Sequence, residues 1–238
     1  GTKAERGHRG KAPISFFFHF IYRYLYVIYR HLPKQSSTGA HNTTLADTTA
    51  EKASHCGMCR IDYLGTGLCP AGRQHGYMAF WPCGRNELYR ALRDKRITPT
   101  KRIKEIVDAC TLCGACDKQC NFVTNLQPTV VQKALKDYLS TLDLNSLPEA
   151  KSDAVLKELQ AAVGADWATN DQTILCTYTN TIHMGNSLEG VYVALPRTAE
   201  EVAKIVAIAH KHNLPALPRG NGTFFVLGIK TLLANTNG

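Results

Sequence analysis

The spacing of apolar residues changes partway along the 238-residue chain. In roughly the first two thirds, apolar side chains recur every three to four positions, which predicts amphipathic helices. These helices are predicted over residues 86–96, over 100–109, from 128 onward and over 149–163. Pro128 suits the first position of the third of these helices. Gly164 suits the position after the end of the fourth, so both residues support the boundaries.

Further along, the pattern becomes typical of an α/β unit. Residues 173–179 and 191–195 are rich in β-branched and aromatic side chains and are predicted as strands. Thr198-Ala-Glu-Glu201 is a capping box, so a helix is predicted to begin there. The residues that this helix is predicted to bury are Val202, Ile205, Val206 and Ala209. A short buried strand over residues 214–218 is predicted to follow it.

Four cysteines lie within eleven residues in the segment Cys110-Thr-Leu-Cys113-Gly-Ala-Cys116-Asp-Lys-Gln-Cys120. This spacing is typical of a loop that wraps an iron–sulfur cubane, because each thiolate binds a separate iron. A structural zinc site more often uses two separated Cys-x-x-Cys pairs. Unliganded thiols so close together would be prone to oxidation. All four cysteines are therefore predicted to be ligands of 4Fe-4S clusters.

A second, incomplete cysteine group precedes this run. It consists of Cys56, Cys59 and Cys69. Three thiols are one fewer than a 4Fe-4S cluster normally takes. If Cys69 instead completes the downstream cluster and Cys120 joins Cys56 and Cys59, the second cluster would need Cys83 or His55, or would be a three-iron form. Zinc, or no metal at all, is the alternative for this group.

The two groups are also predicted to exchange a ligand. In two-cluster ferredoxins the last cysteine of each run binds the cluster of the other run. On that pattern Cys69 completes the site of the downstream run, while Cys120 joins Cys56 and Cys59. One 4Fe-4S cluster is therefore expected, and a second is left open.

A glycine-rich loop follows the last predicted strand. It consists of Pro218, Arg219, Gly220, Asn221, Gly222 and Thr223. The glycines let backbone amides approach an anion closely, while the arginine and the threonine add a charge and a hydroxyl. A loop that ends a strand–helix–strand unit is a common phosphate site. As an isolated turn it would need no ligand.

Charge and cysteine content limit the classes of function. The net charge is +9, but seven basic residues and one acidic residue give +6 within the first 34 positions. The basic balance thus belongs to the tail, and no nucleic-acid partner is predicted. The nine cysteines are an odd number, and seven of them fall into the two groups, which argues against a disulfide framework. A reducing, cytoplasmic location is therefore expected.

The tail before residue 55 has two parts. Residues 16–29 hold eight aromatic side chains but are too short and too charged for a membrane span. No small-residue cleavage site follows that would indicate a signal peptide. We interpret the segment as a surface-lying amphipathic anchor or as a stretch foreign to the mature protein, which leaves peripheral membrane contact open. Residues 35–54, rich in Ser, Thr, Asn and Ala, are predicted to be a flexible linker.

The order of these motifs resembles a known family of flavoproteins. It is similar to the FAD-binding domain of the vanillyl-alcohol oxidase and p-cresol methylhydroxylase type, in the glycolate and D-lactate dehydrogenase branch. The similar segments are Val193-Ala-Leu-Pro196-Arg-Thr-Ala-Glu-Glu-Val202, Ala209-His-Lys-His-Asn-Leu-Pro215 and Pro218-Arg-Gly-Asn-Gly-Thr223. Upstream segments resemble the iron–sulfur domain fused ahead of that domain in some bacterial oxidoreductases. They are His55-Cys-Gly-Met-Cys59, Leu64-Gly-Thr-Gly-Leu-Cys69-Pro70 and Asn121-Phe-Val-Thr.

The resemblance implies a function and its cofactors. It implies that the loop from Pro218 to Thr223 lines the pyrophosphate of FAD, held noncovalently because the loop contains no histidine. It also implies oxidation of a small 2-hydroxy acid, such as lactate or glycolate. Electrons would pass from FAD through the clusters to an acceptor protein or a quinone. The chain is expected to be an amino-terminal piece of such an enzyme, inactive alone, and no catalytic residue is assigned.

The predicted fold class is α+β. Residues 1–54 are predicted to be the basic, aromatic tail and linker, and residues 55–145 an all-α, ferredoxin-like helical iron–sulfur domain. Residues 146–238 are predicted to be the start of an α/β FAD-binding domain. Two alternatives remain for the function. They are a non-catalytic iron–sulfur subunit that serves a separate catalytic subunit, and a zinc-stabilised interaction module.

Overall fold

A computed structural model describes residues 25–28, 44–53, 56, 58–60, 68–179 and 188–220. The helices are α1 (Leu45–Ala53), α2 (Pro70–His75), α3 (Pro82–Arg93), α4 (Arg102–Asp108), α5 (Ala115–Val123), α6 (Pro128–Ser140), α7 (Ala154–Val163), α8 (Gln172–Thr179) and α9 (Ala199–Lys211). The strands are β1 (Leu25–Ile28), β2 (Ala168–Thr169), β3 (Tyr192–Ala194) and β4 (Ala216–Arg219). Short 3₁₀-helices cover Met58–Arg60, Met78–Phe80 and Ala165–Trp167. A mostly helical chain with a small sheet is compatible with the predicted α+β class.

Helix α3 lies at the centre of the larger hydrophobic core. It packs against α1, α6 and α8 and against the 3₁₀-helix Met78–Phe80. Helix α4 presents one face to this core, where Ile103, Ile106 and Val107 are all at most 1% exposed. This core also includes side chains of α8 and β3. It therefore contains residues from both sides of the predicted domain boundary after residue 145, and that division of the chain stays a prediction.

The strands form one small sheet in the order β2-β3-β1-β4. Strand β1 runs antiparallel to both β3 and β4, with Val27 opposite Val193 on one side and Leu217 on the other. Strands β3 and β4 therefore run parallel to each other, and α9 connects them. This is the strand–helix–strand unit that the sequence predicts, with β1 between its two strands.

Helix α9 begins at the predicted capping residue. The amide of Glu201 donates to Thr198 Oγ1 over 3.2 Å, while the Glu201 carboxylate accepts from the amide of Arg197 rather than from that of Thr198. Ile205 and Ala209 are buried, as predicted, in a second core shared with α7. The prediction for Val206 was wrong, because its side chain is 46% exposed.

Residues 173–179 form a helix, not the predicted strand. Their β-branched side chains favour a strand, but Asp171 provides a helix cap. Its carboxylate accepts from the amide of Thr173 over 2.8 Å and from Thr100 Oγ1 over 2.8 Å. The Thr177 hydroxyl donates back to the carbonyl of Ile174, as hydroxyls do inside helices. Local capping and burial against α3 therefore override strand propensity here.

The second half of the predicted linker is also helical. Helix α1 lies within residues 35–54 and begins with a capping box in which Thr44 and Asp47 bond each other's amides. Asp47 also accepts from Tyr89 Oη over 3.1 Å and from Arg93 Nη1 over 3.2 Å, which ties α1 to α3. Burial opposes ionisation of this carboxyl, but the bonds from Thr44, Arg93 and Tyr89 lower its pKa to about 2.

The aromatic segment 16–29 contributes strand β1 to the sheet. The predicted surface anchor does not fit Leu25–Ile28, which pairs on both edges. The rest of this segment lies outside the described residues. In the part of the chain that the structure describes, no helix combines the length and hydrophobicity needed to cross a bilayer.

Candidate functional site: two cavities ringed by cysteines

The first cavity, of about 40 Å³, brings four cysteines together from two distant parts of the chain. The cysteines that line it are Cys69, Cys110, Cys113 and Cys116. Cys69 lies directly before the first residue of α2, where Pro70 fixes the start of the helix. The other three lie on the loop between α4 and α5 and on the first turn of α5. The structure thus brings Cys69 to the downstream run, the grouping that the sequence predicts.

The loop around Cys113 has a backbone suited to surrounding an anion. Leu112 and Gly114 flank Cys113, and both have positive φ angles, of 56° and 77°. Left-handed residues occur in the backbone nests whose amides bind phosphates and iron–sulfur clusters. A left-handed leucine is strained, and such strain concentrates at functional loops. Asp117 fastens the far end of the loop by accepting from the amide of Thr129 over 2.9 Å.

Two buried polar atoms on the wall of the first cavity have no hydrogen-bond partner among the described residues. They are Arg85 Nη2 and Gln132 Oε1. Arg85 is 1% exposed, and its Nε donates to the carbonyl of Ile106 over 3.0 Å. Gln132 donates through Nε2 to Asn86 Oδ1 over 3.4 Å. A buried nitrogen of a charged guanidinium that lacks a partner costs free energy of folding. Arg85 Nη2 therefore favours an anionic group in this cavity.

The second cavity, of about 10 Å³, is smaller and also ringed by four cysteines. They are Cys56, Cys59, Cys83 and Cys120. Cys56 follows α1 and bonds through its amide to the carbonyl of Ala53. Cys59 lies on the 3₁₀-helix Met58–Arg60, and Cys120 lies on α5. Cys120 thus joins Cys56 and Cys59 as predicted, whereas the alternative fourth ligand His55 lies outside the described residues.

The beginning of α3 separates the two cavities. Pro82 lines both of them. Arg85 lines the first cavity, while Cys83 and Asn86 line the second. Gly84 packs so closely on the preceding 3₁₀-helix that an added Cβ would lie 1.8 Å from the carbonyl oxygen of Met78. Because Gly84 has no side chain, α3 can pack this closely on the 3₁₀-helix, and this close packing fixes the position of the dividing wall.

The electrostatics of the thiols differ with their surroundings. Burial, with the nearby charge of Asp117 and of other cysteines, raises the pKa of Cys116 to about 12. Burial likewise raises the pKa of Cys120 to about 11. A hydrogen bond between Cys59 and Cys83 raises the pKa of Cys59 and lowers that of Cys83. A thiol whose pKa is raised in this way stays protonated at neutral pH. It loses its proton when a metal ion binds the sulfur.

The spacing of the cysteines around each cavity limits which metal group they could bind. Within the described ranges, no three His, Cys, Asp or Glu side chains come close enough to share a single metal ion. Four thiolates around one zinc would lie only about 3.8 Å apart, given Zn–S bonds of about 2.3 Å. A 4Fe-4S cluster needs its thiolates spread around a cavity, because each one binds its own iron. The four-cysteine rings fit that second requirement, and the cluster assignment stays a prediction.

The start of the predicted phosphate loop lies against the helical core. Arg219 is 8% exposed, and its Nη1 donates to the carbonyl of Tyr178 over 3.1 Å. Its guanidinium carbon lies 5.6 Å from the centre of the Tyr178 ring. A pyrophosphate role for Arg219 therefore concerns its backbone. A Cβ at Gly220 would meet no described atom within 4 Å, so packing does not explain that glycine. Pro218 precedes them on β4, and Asn221, Gly222 and Thr223 lie outside the described residues.

The sheet and loop region matches a family of flavin-binding domains. Residues 191–238 match the family model described as FAD binding domain. The match begins just before β3 and takes in α9 and β4. It supports FAD as a cofactor and an FAD-binding oxidoreductase as the class of protein.

A search of curated proteins points the same way. The chain is 32% identical to part of D-lactate dehydrogenase (cytochrome) 1, mitochondrial, of Saccharomyces cerevisiae. The similarity covers 35% of this chain and 16% of the yeast protein. The chain thus spans a small part of the length of this relative. No solved structure showed significant similarity.

Sequence reasoning missed two residues of the cavities and left a third undecided. Cys83 was one of two candidate fourth ligands, with His55, because it stands alone in the sequence. Arg85 and Gln132 carry no motif and are recognised only because both are 1% exposed on a cavity wall. The pair Cys83 and Arg85 does have one signal in the sequence. Both follow Pro82, a residue type that suits the first position of a helix, although the helix was predicted only from residue 86.

Proposed function

We propose that this chain is part of an oxidoreductase in which FAD accepts electrons from a small 2-hydroxy acid. Iron–sulfur clusters then carry the electrons to an acceptor protein or a quinone. FAD takes electrons in pairs and clusters carry them singly, which gives the combination its chemical use. Clusters with thiolate ligands suit a reducing compartment such as the cytoplasm.

The observation that carries the proposal is the first cavity. Cys69, Cys110, Cys113 and Cys116 line one space, and Arg85, whose Nη2 has no partner among the described residues, lines the same space. The thiols of these four cysteines would hold a 4Fe-4S cluster, and Arg85 would offset its negative charge. The match of residues 191–238 to an FAD binding domain supports the flavin part. The yeast relative, whose name specifies D-lactate, supports the substrate class.

The test uses the natural gene product that contains this chain. Purified anaerobically, it should carry flavin, iron and sulfide. Addition of D-lactate or glycolate should bleach the flavin absorption and produce the EPR signal of reduced clusters. Iron without flavin would instead support a non-catalytic electron-transfer subunit. Zinc without sulfide would support an interaction module and contradict the proposal.

Arg85→Gln is expected to lower the midpoint potential of the first cluster. Reduction adds negative charge to the cluster, and a buried guanidinium on the cavity wall stabilises that charge. We expect a fall of about 60 mV or more, which corresponds to a tenfold change in a one-electron equilibrium. Arg85→Lys keeps the charge and should stay closer to the wild type. Redox titration followed by EPR measures both, and an unchanged potential in Arg85→Gln would show that Arg85 serves packing alone.

A further inference from the structure

Cys83 lies outside both cysteine groups of the sequence, yet it reaches the same space as three of their members. It is 4% exposed and lies in the first turn of α3. Its neighbours around the second cavity are Cys56, Cys59 and Cys120. Cys59, Cys83 and Cys120 lie on three different elements and Cys56 follows α1, so the chain's tertiary fold, and no single motif, assembles the ring.

The position of Cys83 is held by rigid backbone. Pro82 fixes the first residue of α3, and Gly84 packs directly on the carbonyl of Met78. Cys83 and Cys59 both line the second cavity, so the fold already brings the two side chains to one place. Ligands on rigid elements are positioned more accurately than ligands on loops.

The rest of the second cavity suits an anionic cluster. Its wall is made by apolar side chains with the neutral polar residues Asn86 and Thr124. The Asn86 amide can donate a hydrogen bond to sulfur, which is one way that proteins adjust cluster potentials, whereas Thr124 Oγ1 donates to the carbonyl of Cys120 over 3.2 Å. Arg60, Glu87 and Arg219 all lie near enough to act electrostatically on Cys83, two cations against one acid. No acidic side chain lines the cavity among the residues that the structure describes.

We propose that Cys83 is the fourth ligand of a second 4Fe-4S cluster, bound by Cys56, Cys59, Cys83 and Cys120. Each thiol loses its proton to solvent as its sulfur–iron bond forms, so the site gains four thiolate ligands. This inference deepens the proposed function and rests on it, because it presumes that the chain is an iron–sulfur protein. It assigns two clusters to the chain, with Pro82 between them.

The experiment compares Cys83→Ala with Cys176→Ala in the complete 238-residue chain. Cys176 is equally buried, at 3% exposed, but lines neither cavity. Each protein is reconstituted anaerobically with a mixture of ferrous and ferric iron and with sulfide, and bound iron, bound sulfide and the EPR spectra of the protein before and after dithionite reduction are measured. We expect about eight irons in the wild type and in Cys176→Ala. Cys83→Ala should keep about four, with the EPR signal of the first cluster unchanged.

Cys83→Ser serves as a second variant in case the alanine protein does not fold. A hydroxyl is a poorer iron ligand, so this variant should lose the second cluster or show a three-iron EPR signal in the oxidised state. About eight irons with a wild-type spectrum in both Cys83 variants would overturn the inference and leave the proposed function intact. About four irons in the wild type, lost on Cys113→Ser, would do the same. A wild-type chain without iron would overturn the proposed function itself.

Discussion

Gly84→Ala is expected to disrupt the wall between the two cavities and to unfold the chain at a much lower temperature. The added Cβ would lie 1.8 Å from the oxygen and 2.4 Å from the carbon of the Met78 carbonyl. Both are backbone atoms that have no rotamer to move into, so α3 must shift away from the 3₁₀-helix. Overpacking of this kind costs about 3 kcal/mol, which lowers the melting temperature of a chain of this size by roughly 10 °C.

Two other glycines supply graded controls for that result. Gly220→Ala should melt like the wild type, because no described atom lies within 4 Å of its Cβ position. Gly114→Ala also meets open space but has a φ of 77°, so it should cost about 1 kcal/mol of backbone strain. Circular dichroism on reconstituted protein measures all three. Equal melting temperatures for Gly84→Ala and Gly220→Ala would contradict the close packing described for α3.

Cys113→Ser is expected to remove about half of the bound iron and the EPR signal of the first cluster. The side chain of Cys113 is exposed, so serine there should not disturb the packing of the protein without metal. The loss must then come from the missing thiolate, which leaves the first cluster with only Cys69, Cys110 and Cys116.

The matched control for this variant is Cys176→Ser. Cys176 is buried in α8 and donates from Sγ to the carbonyl of Thr173, a bond that a serine hydroxyl can also make. Iron content should therefore equal that of the wild type. Equal iron in Cys113→Ser and Cys176→Ser would show that the run from Cys110 to Cys120 does not hold a cluster.

The part of the site that could be predicted depends on local spacing. Cys110, Cys113 and Cys116 lie close together in the sequence, so their spacing alone indicates that they bind the same cluster. The exchange of Cys69 and Cys120 between sites follows from the known arrangement of two-cluster ferredoxins. Cys83 reaches the second cavity only because α3 packs beside α1 and α6. No spacing in the sequence carries that information.

The errors in the predicted fold have a similar origin. The strand predicted over residues 173–179 rests on propensity, which the Asp171 cap and burial against α3 override. Helix α1 was hidden in a polar stretch, although Thr44-Leu-Ala-Asp47 is itself a capping box and could have been recognised. Val206 lies on the exposed side of α9 and is not part of the second core.

Metal and sulfide analysis of the reconstituted 238-residue chain tests the central claim most directly. The claim is that cysteine rings at the two cavities hold iron–sulfur clusters beside the start of a flavin domain. It predicts equal amounts of iron and sulfide, approaching about eight of each per chain, with a broad visible absorption that dithionite bleaches. A colourless protein that binds zinc, or no metal, and contains no sulfide would contradict it.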